Sequence, residues 1–250
     1  MTSSAVPVPG PVPVLVGCSH GTDSRAGRDA ISSILVDVAL ARPDLDVREA
    51  FVDVQQPEVD DVVAGAIGGA PAVVVPLLLS VGFHVKVDVA RAVDRPGAAA
   101  ARPMGPDPRL VEILADRLAE AGLAAADTVV LAAAGSTDPD AAGAVREVVA
   151  ALSQRLGRPV SVGYGAGAHP RVPAAVEAAR SGLAPGGRVV VASYLLAPGY
   201  FLDRVLEAGA DVVTHALAPD PRLAAIALDR YDEVSAQASA TWSPSVSAEA

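Results

Sequence analysis

The chain alternates short runs of β-branched and apolar residues with longer stretches in which apolar positions recur every three to four residues. The short runs predict strands near Val14–Cys18, Val47–Asp53 and Ala72–Leu79, with a fourth near Ala101–Met104. The periodic stretches predict helices near Ser24–Ala41, Pro57–Gly68, His84–Val93 and Pro108–Ala121. The alternation then starts again, with strands near Thr128–Ala133, Val160–Gly165, Arg188–Leu196 and Asp211–Leu217, each followed by a helix. Strands separated by helices make βαβ units, and so a parallel sheet covered on both faces. Asp107 before Pro108, and Asp220 before Pro221, have the form of an N-cap followed by proline in the first helical turn.

The second series is a copy of the first. Gly105–Leu110 (GPDPRL) recurs as Ala218–Leu223 (APDPRL), and Ile113, Asp116, Arg117 and Glu120 recur at the same separation as Ile226, Asp229, Arg230 and Glu233. Val14–Arg25 aligns with Thr128–Pro139, which sets Gly21 over Gly135 and Thr22 over Ser136. Leu77–Phe83 aligns with Tyr194–Tyr200, and Gly82 then meets Gly199. A repeat of this length makes each copy one structural unit. The expected architecture is α/β: two similar doubly wound parallel-sheet lobes related by internal duplication, with a cleft between them. Residues 1–13 read as a flexible N-terminal tail, 14–127 as the first lobe, 128–234 as the second, and 235–250 as a disordered C-terminal tail.

The copies differ in their histidines. His20 ends the first strand and His84 follows the third, whereas the matching positions of the second copy hold Ala134 and Phe201. Open parallel sheets bind ligands beyond the carboxyl ends of their strands, and the first and third strands of such sheets are usually neighbours. His20 and His84 therefore form a candidate pair in one cleft, with Gly21 and Gly82 beside them to allow close backbone approach. His169, before Pro170, is a possible cleft-lining residue; His215, within the last predicted strand, reads as structural.

Composition narrows the partners. A net charge of −10, without a basic run, argues against nucleic acid. The single cysteine, Cys18, cannot form an internal disulfide and fits a reducing cytoplasm. The N-terminal stretch lacks the basic and apolar regions of a signal peptide. No run approaches the roughly 18 apolar residues of a membrane span, so a soluble protein without membrane contact is expected. Lys86 is the only lysine.

The segments Val16–Thr22 (VGCSHGT) and Val75–Val85 (VPLLLSVGFHV), followed by Gly105–Pro108 (GPDP), resemble the sirohydrochlorin chelatase family of the CbiX and SirB type, from about Val14 to about Glu233. The resemblance implies a lyase, a ferrochelatase or cobaltochelatase, that inserts Fe2+ (for siroheme) or Co2+ (for cobalamin) into sirohydrochlorin. It implies His20 and His84 as metal-handling and catalytic residues, with no cofactor beyond the substrate metal. Imidazole suits such ions, and two neutral ligands hold a metal loosely enough to release it. A histidine titrating near neutrality can also accept a proton displaced from the macrocycle. Asp88, four residues after His84, would share its helix face and could orient the ring or attract the cation. Family members often carry Glu where this chain has Val87. Substrate carboxylates could meet backbone amides at Ser19, Gly21, Ser80 and Gly82, or cations at Arg25, Lys86 and Arg91, while Ser136 and Thr137 could line the opposite wall. One chain supplies both lobes, so a monomer is sufficient.

Two other readings compete. One is a noncatalytic tetrapyrrole or metal carrier on the same lobes. The other is a nucleotide-binding protein using Gly163–Gly167, a segment that lacks both the Walker lysine and the spacing of a dinucleotide fingerprint and reads instead as a flexible loop.

Overall fold

The computed structural model describes residues 11–82 and 84–238. Residues 1–10 and 239–250, the outer parts of the two expected tails, lie outside the described residues, as does Phe83. Two four-stranded parallel sheets account for the strands. The first runs β2 (Val47–Phe51), β1 (Val14–Ser19), β3 (Ala72–Pro76), β4 (Ala98–Ala100). The second repeats that order with β6 (Val160–Tyr164), β5 (Thr128–Ala133), β7 (Val189–Tyr194) and β8 (Val212–Val213). Register is matched too: Cys18 stands between Ala50 and Pro76 as Ala132 stands between Gly163 and Ser193.

Helices α1 (Arg25–Ala41), α2 (Val59–Ile67), α3 (Ala90–Val93) and α4 (Pro108–Glu120) belong to the first half, and α5 (Pro139–Leu156), α6 (Val172–Ser181), α7 (Tyr200–Leu206) and α8 (Pro221–Ala238) to the second. Ser24 caps α1, and Asp107 and Asp138 cap α4 and α5 through their side chains. Alternate residues of β1 divide the core. Val14, Val16 and Cys18 pack outward with Val59 and Val63 of α2, while Leu15 faces an inner core shared by both halves. An outer cluster built on Val172 and Val176 covers the far face of the second sheet. Five layers result: α2/α3, the first sheet, a central helix layer, the second sheet, and α6/α7.

The central layer is exchanged. Helix α8 packs on α1 and β3 of the first half, and α4 packs on α5 and β7 of the second. Paired arginines staple the exchange: Arg117 of α4 donates to the carbonyls of Ala216, Leu217 and Pro219, and Arg230 of α8 donates to those of Pro103 and Met104. Arg109–Asp229 and Arg222–Asp116, each 2.7 Å, repeat the relation.

Several expectations need adjustment. The fourth strand is Ala98–Ala100, before the predicted Ala101–Met104, although Ala101 still donates to Val74 O at 2.8 Å. The predicted strand over Asp211–Leu217 shrinks to two residues, leaving His215 outside it and exposed. The helix expected from His84 begins as a π-helical turn, Val85–Val89, before α3. Helix α8 runs four residues into the stretch expected to be disordered, from Ser235 to Ala238. Gly163–Gly167 is a strand end followed by a turn whose amides bond to Ala133 O and Ala134 O, which leaves it no phosphate-cradling role.

Candidate metal centre

His20 is the first residue beyond β1, and His84 opens the π-helical turn beyond β3. Because β1 and β3 are adjacent, the two rings meet edge to face, with centroids 4.6 Å apart and planes at 88°. His20 is exposed and His84 partly buried. His84 Nδ1 lies 2.8 Å from Asp88 Oδ2. An ionised carboxylate accepts only, so Nδ1 is the donor and Nε2 carries the ring's lone pair. The four-residue spacing survives the wider turn, whose amides bond five residues back, as Ala90 does to Val85 O. π-Turns of this kind are frequent at functional sites.

The loop that carries His20 is locked. Gly21 has φ +87°, a region closed to most side chains, and a Cβ there would lie 2.8 Å from Asp53 O. Thr22 N donates to Gln55 Oε1 at 2.9 Å. The Asp53 carbonyl thus stands against the His20 loop while its carboxylate accepts from Val54 N at 2.8 Å, at the edge of a recess of about 510 Å3 that also takes in Gln55, Glu58 and Arg91. Sequence reasoning passed over Asp53. The signal was available in the repeat, because the matching position of the second copy is Ala166: the second half replaces His20, Asp53 and His84 by Ala134, Ala166 and Phe201. Phe201 has its ring against Gly165 and, like Ala134, packs on the outer cluster of the second half.

Cys18 is no ligand. Burial, with the nearby Asp88 carboxylate in support, pushes its thiol up to about 12, so it stays protonated and inert at neutral pH. Among the described residues no group of three or more His, Cys, Asp or Glu could enclose an ion, and the centre is an open pair.

The remaining predicted residues divide. Gly82 and Ser136 do come together across the halves: a Cβ on Gly82 would lie 3.7 Å from Ser136 Oγ. Ser136 Oγ also accepts from Asp138 N at 3.0 Å. Ser19 is buried, and its Oγ finds no hydrogen-bond partner. Ser80 is partly buried in the loop after β3, and Thr137 is exposed. Lys86 Nζ is held by Asp138 at 2.7 Å and Asp140 at 2.8 Å, so it spans the halves beside His84. Arg91 approaches Asp88 at 3.8 Å, and Arg25 lies out in solvent near Asp29. His169 is exposed after β6. A second recess, about 570 Å3 between α4 and α5, is lined by Pro106, Val111, Glu147 and Arg155 among others, and no histidine reaches it.

The fold and the centre together define a duplicated α/β protein with one open imidazole pair at the edge of its first sheet. The CbiX family profile matches residues 14–121 and again 128–234, so the chain belongs to the CbiX family. Among solved structures it is similar to SirB from Bacillus subtilis with Fe3+, at 19% identity and TM-score 0.76 over 92% of this chain and 98% of that one. The sirohydrochlorin chelatase SirB from Bacillus subtilis subspecies spizizenii, in complex with cobalt, aligns at 20% identity and TM-score 0.73 over 92% and 97%. DR2241 from Deinococcus radiodurans, a multi-domain protein with structural similarity to chelatases, aligns at 17% and 0.63 over 88% of this chain and 55% of its own. At such identities the likeness establishes the fold. No curated protein sequence matches the chain. Among the described residues no helix is long and apolar enough to cross a membrane.

Proposed function

We propose that this protein is a sirohydrochlorin chelatase that takes a divalent metal on His20 and His84 and inserts it into the tetrapyrrole. The carrying observation is the imidazole pair itself, 4.6 Å between centroids and formed in one half only. Family membership supplies the substrate class, and the SirB structures, one with Fe3+ and one in complex with cobalt, supply the metal class.

Two neutral nitrogen ligands suit Fe2+ or Co2+ and leave several coordination positions for pyrrole nitrogens. Asp88 fixes the tautomer of His84 and raises its basicity as a ligand. As the metal passes to the macrocycle two protons must leave it, and each imidazole, on losing its metal, becomes a base placed to receive one. Ser136, close to Gly82, and backbone amides of the loop after β3 offer donors to substrate carboxylates. A cytoplasmic setting and a monomer that contains both walls of its cleft fit this reading.

The test is anaerobic incubation of sirohydrochlorin with Fe2+ or Co2+, followed by visible absorption. Wild type should exceed the spontaneous rate with at least one ion, and His20→Ala and His84→Ala should each lose most of the acceleration. No acceleration with either ion removes the chelatase reading; full activity in both variants removes the assigned pair. Tight binding of sirohydrochlorin without acceleration would favour the carrier.

A further inference from the structure

Large apolar side chains in solvent mark interaction surfaces when they gather. Three such residues lie on segments next to the histidine pair: Val54 is 47% exposed, Val87 41% and Tyr200 70%. Val54 Cβ lies 3.2 Å from the place a Cβ would take on Gly21, next to His20. Val87 sits on the π-helical turn, three residues after His84. Tyr200 follows Gly199, which approaches Thr22 Oγ1 to 3.2 Å by the same measure and so joins the second half to the His20 loop.

Val54 is held there against its own preference. Its φ is +45°, and it is the one non-glycine residue with positive φ among those described. Gln55 N bonds back to Asp53 O across it, closing a γ-turn. A β-branched residue is the poorest choice for such a turn. The second half makes the same turn with the amide of Ala168 on Ala166 O, and uses Gly167, φ +66°, at the corresponding position. Strain of this sort persists where a side chain is needed for function. The first half keeps a side chain where backbone conformation asks for none, on the half that holds the imidazoles.

We infer that Val54, Val87 and Tyr200 form an apolar rim that seats the flat face of the tetrapyrrole over the imidazole pair. The inference rests on the chelatase reading for its ligand. A macrocycle whose charges lie on its edge and whose faces are apolar fits an imidazole pair with apolar side chains exposed on the neighbouring segments. Tyr200 adds a ring face or edge for stacking, contributed by the half that carries no histidine in the centre. Arg204, whose guanidinium carbon lies 5.6 Å from the Tyr200 ring centroid and which also pairs with Glu207 at 3.2 Å, sets a cation beside the rim.

The experiment is anaerobic titration of metal-free sirohydrochlorin into wild type, Val54→Gly, Tyr200→Ala and the control Leu206→Ala, followed by the visible spectrum. Leu206 is exposed at the other end of α7 from Tyr200. Val54→Gly and Tyr200→Ala should each raise Kd by roughly ten-fold, the weight of one aromatic or aliphatic contact, while Leu206→Ala stays at the wild-type value. Val54→Gly should melt no lower than wild type because the strain is relieved, and both rim variants should bind Co2+ alone as wild type does. Wild-type Kd in both rim variants overturns the rim, as does parallel loss of Co2+ binding, which would mean a collapsed loop. Wild type that binds the macrocycle but fails to metallate it sinks the chelatase reading alone; wild type that does not bind it overturns the rim as well.

Discussion

Removing the charge of Asp107 should destabilise the protein far more than the same change at its repeat partner, Asp220. Both carboxylates cap a helix, accepting from Arg109 N and Arg222 N at 3.0 Å, and both take a two-point contact from the same arginine's side chain. Only Asp107 also accepts from a buried arginine, Arg230 Nη2 at 2.8 Å, and Arg230 is 1% exposed. Arg117, the counterpart of Arg230, turns to backbone carbonyls and Glu120. Asparagine caps a helix almost as well as aspartate. Asp220→Asn therefore loses mainly a part-exposed ion pair, about 1 kcal/mol. Asp107→Asn takes the nearer carboxylate from a buried guanidinium and leaves it only the longer contact to Glu233 at 3.7 Å, and removing one partner of a buried pair costs roughly 3–5 kcal/mol. The remaining bonds from Arg230 to Pro103 O and Met104 O favour the lower end of that range. Urea unfolding at pH 7 should separate the two variants by about 2 kcal/mol, the difference between those two costs. The pH dependence gives a second measure. Burial raises the Asp107 carboxyl, but Arg109 and Arg230 outweigh it and bring it from 3.8 down to about 2. A depressed carboxyl contributes stability that is complete above the unfolded value near 3.9 and fades as pH falls through 2, a contribution of about 2 kcal/mol. The gap between wild type and Asp107→Asn should therefore narrow between pH 4 and pH 2. Equal losses in the two variants, or a gap unchanged by acid, would refute the role given to Arg230.

Two other perturbations test the centre and its setting. Asp88→Asn takes the anion from His84 Nδ1 and should weaken Co2+ binding about 10- to 100-fold in a metal titration, the usual weight of such a partner; undiminished affinity would mean the ring is oriented by something else. Lys86→Met cuts the solvent-facing contacts to Asp138 and Asp140, so its melting temperature should fall below that of wild type at 10 mM salt and rejoin it at 1 M, where screening acts within about 3 Å; a difference that persists at 1 M rules out an electrostatic role.

Much of the scaffold was legible because βαβ units write both of their periods into the sequence. The duplication aligned His20 with Ala134 and His84 with Phe201, and neighbouring strands did bring the two imidazoles together. The fourth strand of each sheet was the least legible. Ala98–Ala100 has none of the branched side chains that announce a strand, and Thr214–Leu217 carries the right residues but leaves the ladder, with Thr214 turned to Ser193. Helix α4 was placed correctly and its partner was hidden, because an amphipathic stripe says that a face is buried without saying against what. The π-turn has no period of its own, and the Asp53 carbonyl contact depends on a loop conformation that no residue pattern announces.

The exchange of helices explains why the second half kept its shape while holding none of the centre's imidazoles. Helix α8 covers β3 of the first sheet, and Arg230 pins the chain that leads into α4, so the second copy carries part of the first copy's core. Changes to its strands, caps or close-packed turns would be felt at the imidazole pair. The positions corresponding to His20 and His84 bear no such duty. There Ala134 and Phe201 settle on packing alone, and Gly167, in the place of Val54, takes the positive φ without a side chain. Selection on one half's chemistry and on both halves' packing is enough to yield a symmetric frame around an asymmetric centre.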